Sequence, residues 1–244
     1  MIYKSKKQLQ RLSNKQIFED VKKYIKTSHT FYETRIPELK VLAKRLHEEY
    51  SLSEFYKVFN KLWNSGHNEE RSLAIHTLQL YKEDFNIETW KFIKTKLKEI
   101  KSWDKVDIVS LNIIGEILCK TKKMEQELII MAKSKNIWFK RMAVISTIPV
   151  VKKEEIDFPL TILQMCLYSK EEQIQTAVGM VLKEINEVKP VVAKKFILKN
   201  IQMPIITFSI ATENNRELRK LRDVKKIGKN KVLSLRRIKN IFGR

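Results

Sequence analysis

Glycine and proline are scarce, at five each in 244 residues. Sandwiches and doubly wound sheets turn often, and tight turns draw on these two residues. Their shortage argues against both and predicts long helices joined by short polar loops. Cysteine is scarcer still, at two. Cys119 and Cys166 each sit inside an apolar helical pattern, with no CxxC pair and no His–Cys cluster, so a structural zinc site is unsupported. The four histidines, His29, His47, His67 and His76, show no metal-ligand spacing. His76, in an apolar stretch, reads as a hydrogen-bonded core histidine. There is no Gly-rich phosphate loop, GxSxG elbow or Cys–His pairing, so a nucleotide cofactor is not expected. No apolar run approaches the roughly 20 residues of a membrane span. The opening MIYKSKKQLQ has no apolar leader core. Two thiols without a leader fit a reducing cytosol, so the expected location is cytoplasmic.

What the chain has in excess is positive charge. Lys and Arg number 49 against 28 acids, a net charge of +21. Such an excess costs self-repulsion in the folded state and predicts an anionic partner. A generic solubility device is the plainer alternative. The charge is uneven: Arg216–Arg244 holds twelve basic and two acidic residues.

Helical periodicity runs almost the whole length. In IPELKVLAKRLHEEY, Leu39, Leu42, Ala43 and Leu46 recur at spacings of three and four, which builds one apolar stripe. Similar stripes predict helices over Leu52–Asn64, His67–Tyr81, Ile87–Ile100, Trp103–Lys120, Met124–Lys133 and Ile137–Val150. Others lie over Leu160–Tyr168, Glu171–Asn186, Pro190–Lys199 and Pro204–Asn214. Links as short as NSGH and KSKN force antiparallel neighbours. The predicted class is therefore all-α. A pair-to-pair period of roughly 35–40 residues suggests HEAT-type stacking, with a compact bundle as the alternative. The chain divides into a repeat domain over 1–215 and a basic tail over 216–244, which either docks as a last helix or folds on nucleic acid.

Three segments stand out. In SWDKVD, Ser102 is a natural N-cap, and Trp103 and Asp107, four apart, share a helix face. An aromatic plate beside a carboxylate suits a site, although acids belong in first turns and Trp often plugs repeat junctions. In WFKR, Trp138 and Arg141 share a face, which suits either a phosphate clamp or a surface stack. Asn68-Glu69-Glu70-Arg71 reads as structural, with Arg71 pairing an acid.

These segments together resemble the bacterial DNA alkylation repair proteins built of HEAT-like repeats. The likeness runs from about His29 to Asn214. It is carried by FYETRIPELKVLAKRL, LWNSGHNEERSLAIHTL, SWDKVDIVS, WFKRMAVIS and QTAVGMVLKEI, in family order. The resemblance implies a right-handed solenoid of antiparallel helix pairs with a concave basic groove. It further implies excision of cationic methylated purines from double-stranded DNA, without metal or nucleotide cofactor, by a protein associated with the nucleoid. Asp107 resembles the family's catalytic carboxylate, Trp103 an aromatic wall of the site, and Arg141 the arginine that grips the backbone. Trp138, Lys140, Lys105 and Met180 are expected to face the DNA. Active members carry a Gly-Trp pair where this chain has Gly179-Met180, and the departure bears on catalytic proficiency and lesion range. A monomer is compatible with an open groove. A non-catalytic binder of unusual DNA structures, and a scaffold or RNA-binding solenoid, are the competing readings.

Overall fold

The computed structural model describes residues 36–215 and 218–220. The basic tail expected over 216–244 and the first residues of the FYETR segment lie largely outside them. Among the described residues all regular structure is helical. In chain order these are α1 (Ile36–Glu49), α2 (Leu52–Trp63), α3 (Asn68–Leu78), α4 (Ile87–Lys94), α5 (Trp103–Val109), α6 (Gly115–Leu118), α7 (Lys123–Lys133), α8 (Ile137–Ile145) and α9 (Ile148–Lys152). Then come α10 (Asp157–Cys166), α11 (Glu172–Val188), α12 (Pro190–Lys199) and α13 (Ile205–Ala211). Two compact units divide after Val150.

Local chemistry accounts for the ends. Ser51 and Glu54 form a reciprocal capping box on α2, and Asn86 caps α4 by accepting from Glu88 N and Thr89 N. Such caps stabilise a helix by about 1 kcal/mol. Pro190 opens α12, where its missing N–H is no loss. The single helix expected over Ile137–Val150 is two, broken at Ser146-Thr147. Pro149 is the cause, since its ring clashes with the carbonyl four residues back and it has no N–H to donate.

In the first unit the core is aromatic. Phe55, Phe59, Leu62 and Trp63 on α2 are fully buried. Phe55 stacks on Tyr81 at 5.5 Å and Phe59 on Trp63 at 5.3 Å between centroids. In the second unit it is aliphatic, built on Ile174, Val178, Val181, Leu182 and Ile185 of α11.

Hydrogen bonds between helices jump almost one period each. In the first unit Tyr81 Oη donates to Tyr50 O over 31 residues, and Trp63 Nε1 to Glu99 over 36. In the second, Thr207 Oγ1 donates to Gln175 O over 32. This is the contact pattern of stacked helix pairs, in which each helix meets its counterpart one pair further on.

Gly115 shows how tightly α6 packs. A Cβ there would lie 2.6 Å from Pro149 Cγ and 2.8 Å from the Ser146 carbonyl oxygen. Backbone cannot yield as a side-chain tip does. Gly115→Ala is therefore expected to cost about 2 kcal/mol by overpacking, read as a lowered urea midpoint with unchanged m-value.

Candidate active site

The site is built on α5 and α8, which pack against each other in the first unit. Ser102 occupies the N-cap position of α5 with extended backbone, but its side chain makes no capping bond. One residue on, Trp103 is 45% exposed despite its size. Asp107 lies one turn further along the same face. Immediately beyond, Ser110–Ile114 forms a π-turn, with Gly115 N–H donating to Ser110 O. A π-turn inserts a residue into the helical repeat and shifts the phase of the residues beyond it, a device frequent at functional sites.

From the facing helix, Asn136 accepts from Trp138 N at 2.9 Å and starts α8. That places Arg141 one turn inside. Arg141 Nε donates to Asp107 Oδ1 at 2.7 Å and Nη2 to Oδ2 at 2.6 Å. The side chains are 5% and 15% exposed, respectively. This is a bidentate, charge-assisted pair in a region mostly shielded from water, the strongest class of side-chain hydrogen bonding. The site thus has an exposed indole at its rim and, one turn below, a carboxylate held by a guanidinium.

A family model of DNA alkylation repair enzymes matches residues 5–214. The chain belongs to this family. It is accordingly a DNA repair protein. A solved structure of a predicted DNA alkylation repair enzyme from Enterococcus faecalis superposes with a TM-score of 0.74, covering 84% of this chain and 97% of that one at 16% identity. At that identity the likeness is one of fold. No curated protein matches the chain in sequence.

In this DNA alkylation repair protein the expected site residues fall into three groups. Asp107 and Arg141 come together where α5 meets α8, and Trp103 lies one turn before Asp107 on α5. Trp138 and Lys140 are half-buried on α8, and Met180 is half-buried on α11 in the second unit. Gly179 beside it lets α11 approach α13, since a Cβ there would fall 2.8 Å from Ile210 Cβ.

Lys105 departs from the expected role at the DNA. It is 6% exposed, and Nζ donates to Asn68 Oδ1 at 2.6 Å with Asp104 3.9 Å away. Burial lowers its pKa, while the charges of Asp104 and Glu69 pull it back up. The signal was in the spacing: Lys105 is two residues from both Trp103 and Asp107, so it cannot share their face. It fastens the back of α5 to the start of α3. Lys105→Met is therefore expected to leave the salt dependence of DNA binding unchanged. Loss of a phosphate contact would instead reduce the slope of log K against log salt by about 0.9.

The Asn68–Arg71 segment is structural, as its sequence suggested. Glu69 and Glu70 are buried in the first turn of α3. Arg71 donates to Trp63 O and to Glu99, both at 2.9 Å, with its guanidinium 4.9 Å over the Trp63 ring. His76 is buried and hydrogen-bonded to Gln79; burial, then Lys40 and Lys105, lower its pKa and hold it neutral near pH 7. Among the described residues no three His, Cys, Asp or Glu side chains converge as a metal site. Nor is any helix among them long and apolar enough to cross a membrane.

Proposed function

We propose that the protein excises positively charged alkylated purines, such as N3-methyladenine and N7-methylguanine, from duplex DNA by hydrolysing the N-glycosidic bond. The observation that carries this reading is Asp107, a shielded carboxylate one helical turn below the exposed Trp103. Alkylation has already given the base its positive charge, so it departs as a neutral leaving group when the C1′–N bond breaks and takes the electron pair. Positive charge then develops on the sugar. A fixed carboxylate stabilises that charge in a site of low dielectric, and it accepts the proton of the attacking water. The Trp103 face adds cation–π attraction. Arg141 holds the carboxylate through both of its oxygens, and the +21 net charge supplies affinity without reading sequence.

A second reading, a non-catalytic binder of unusual DNA structures, is favoured by Met180, which lacks the aromatic face of the tryptophan in active relatives. The test is chromatographic detection of free N3-methyladenine or N7-methylguanine from methylated duplex DNA. Release by the wild-type protein is the expected result, and Met180→Trp is expected to raise its rate. Tight, salt-sensitive binding without release would favour the second reading.

A further inference from the structure

The Arg141 fork is an anion site that already holds an anion. Its Nε–H and Nη2–H are taken by the two Asp107 oxygens at 2.7 and 2.6 Å. A phosphodiester presents the same acceptor: two oxygens sharing one negative charge, spaced for both N–H groups. With side-chain exposures of 5% and 15%, a phosphodiester that takes these same two N–H groups must displace the carboxylate from them.

We propose that Asp107 and a DNA backbone phosphodiester are alternative occupants of the Arg141 guanidinium. The carboxylate is masked in the DNA-free protein and unmasked when Arg141 transfers to DNA. This rests on the proposed DNA function and names how that site is switched.

The mobile partner is the arginine. Its side chain is long and can swing its head toward water while its stem stays packed. Asp107 is short and sits on a helix whose opposite face is fastened through Lys105 to Asn68. Trp103, one turn before Asp107 on the same helix, is 45% exposed, so that end of α5 borders solvent.

Charge decides when the exchange runs. A shielded carboxylate that loses its counterion is strongly disfavoured unless another cation replaces it. An alkylated purine nucleotide is such a cation; an undamaged one is not. With damaged DNA, one ion pair and two separate charges become two ion pairs, Arg141 with phosphate and Asp107 with the cationic nucleotide. With undamaged DNA, Asp107 is left unpaired and the exchange stalls. The latch therefore couples unmasking of the carboxylate to the presence of a cationic lesion.

The test is a thermodynamic cycle on binding alone, so it stands whether or not base release is found. Affinity for an undamaged duplex is measured by fluorescence anisotropy at fixed salt for wild type, Asp107→Asn, Arg141→Gln and the double variant. Asp107→Asn is expected to tighten binding about fivefold or more in the wild-type background, a usual size of coupling. In the Arg141→Gln background the same change is expected to matter less than about twofold, the scatter of independent sites. Equal tightening in both backgrounds would mean simple removal of negative charge and would overturn the latch, as would no tightening in either. Absence of any DNA binding would overturn both this inference and the function it rests on. A variant-free check uses the ¹⁵N-edited Nε–H resonance of Arg141 in the intact protein. A shift on titration with a short duplex carrying a cationic alkylated purine is expected, and an unmoved resonance at saturation would refute the exchange.

Discussion

Asp107→Asn is expected to reduce the rate of base release by at least about 100-fold, as loss of one preorganised electrostatic group at a developing charge does in other enzymes. The substitution preserves shape, and the amide oxygen still accepts from Arg141. In the proposed reaction, what disappears is the negative charge that stabilises the sugar and the capacity to take a proton from water. The fold is expected to persist, because the arginine left without a counterion can turn its head to solvent. Base release is measured under single-turnover conditions, so that binding and chemistry separate. Release undiminished in this variant would remove Asp107 from the chemistry.

Arg141→Ala is expected to be the more damaging change to stability, and the asymmetry comes from the same pair. Asp107 cannot snorkel: its carboxylate is one carbon from Cα on a helix packed against α8, and its side chain is 15% exposed. Removing Arg141 takes away both charge-assisted bonds and leaves a shielded charge uncompensated, which costs about 3 kcal/mol. Adding Asp107→Asn to that variant is expected to recover much of the loss, because the stranded charge goes with it. Urea denaturation of the two singles and the double measures this directly. A double variant no more stable than Arg141→Ala would mean that lost packing of the arginine stem, not the stranded carboxylate, carried the cost.

The legible part of this molecule is its local part. The apolar stripes of Ile36–Tyr50 and Leu52–Asn64 act within one or two helical turns, so α1 and α2 could be read within a residue of their ends. The Ile137–Val150 segment was misjudged because its apolar pattern runs across Pro149, whose clash with the carbonyl four residues back outweighs the periodicity. Lys105 was misjudged by residue type, although its spacing already put it behind the face of Trp103 and Asp107.

Composition and short spacings were enough to specify an all-α chain, a net charge that calls for a polyanion, and the common face of Trp103 and Asp107. Each of these depends on residue content or on contacts three and four residues apart. It took the packed fold to turn Arg141 to Asp107, 34 residues away, and Lys105 to Asn68, 37 away. The reason is physical. Which residues meet across stacked helix pairs is set by the register of packing. No short-range spacing encodes that register.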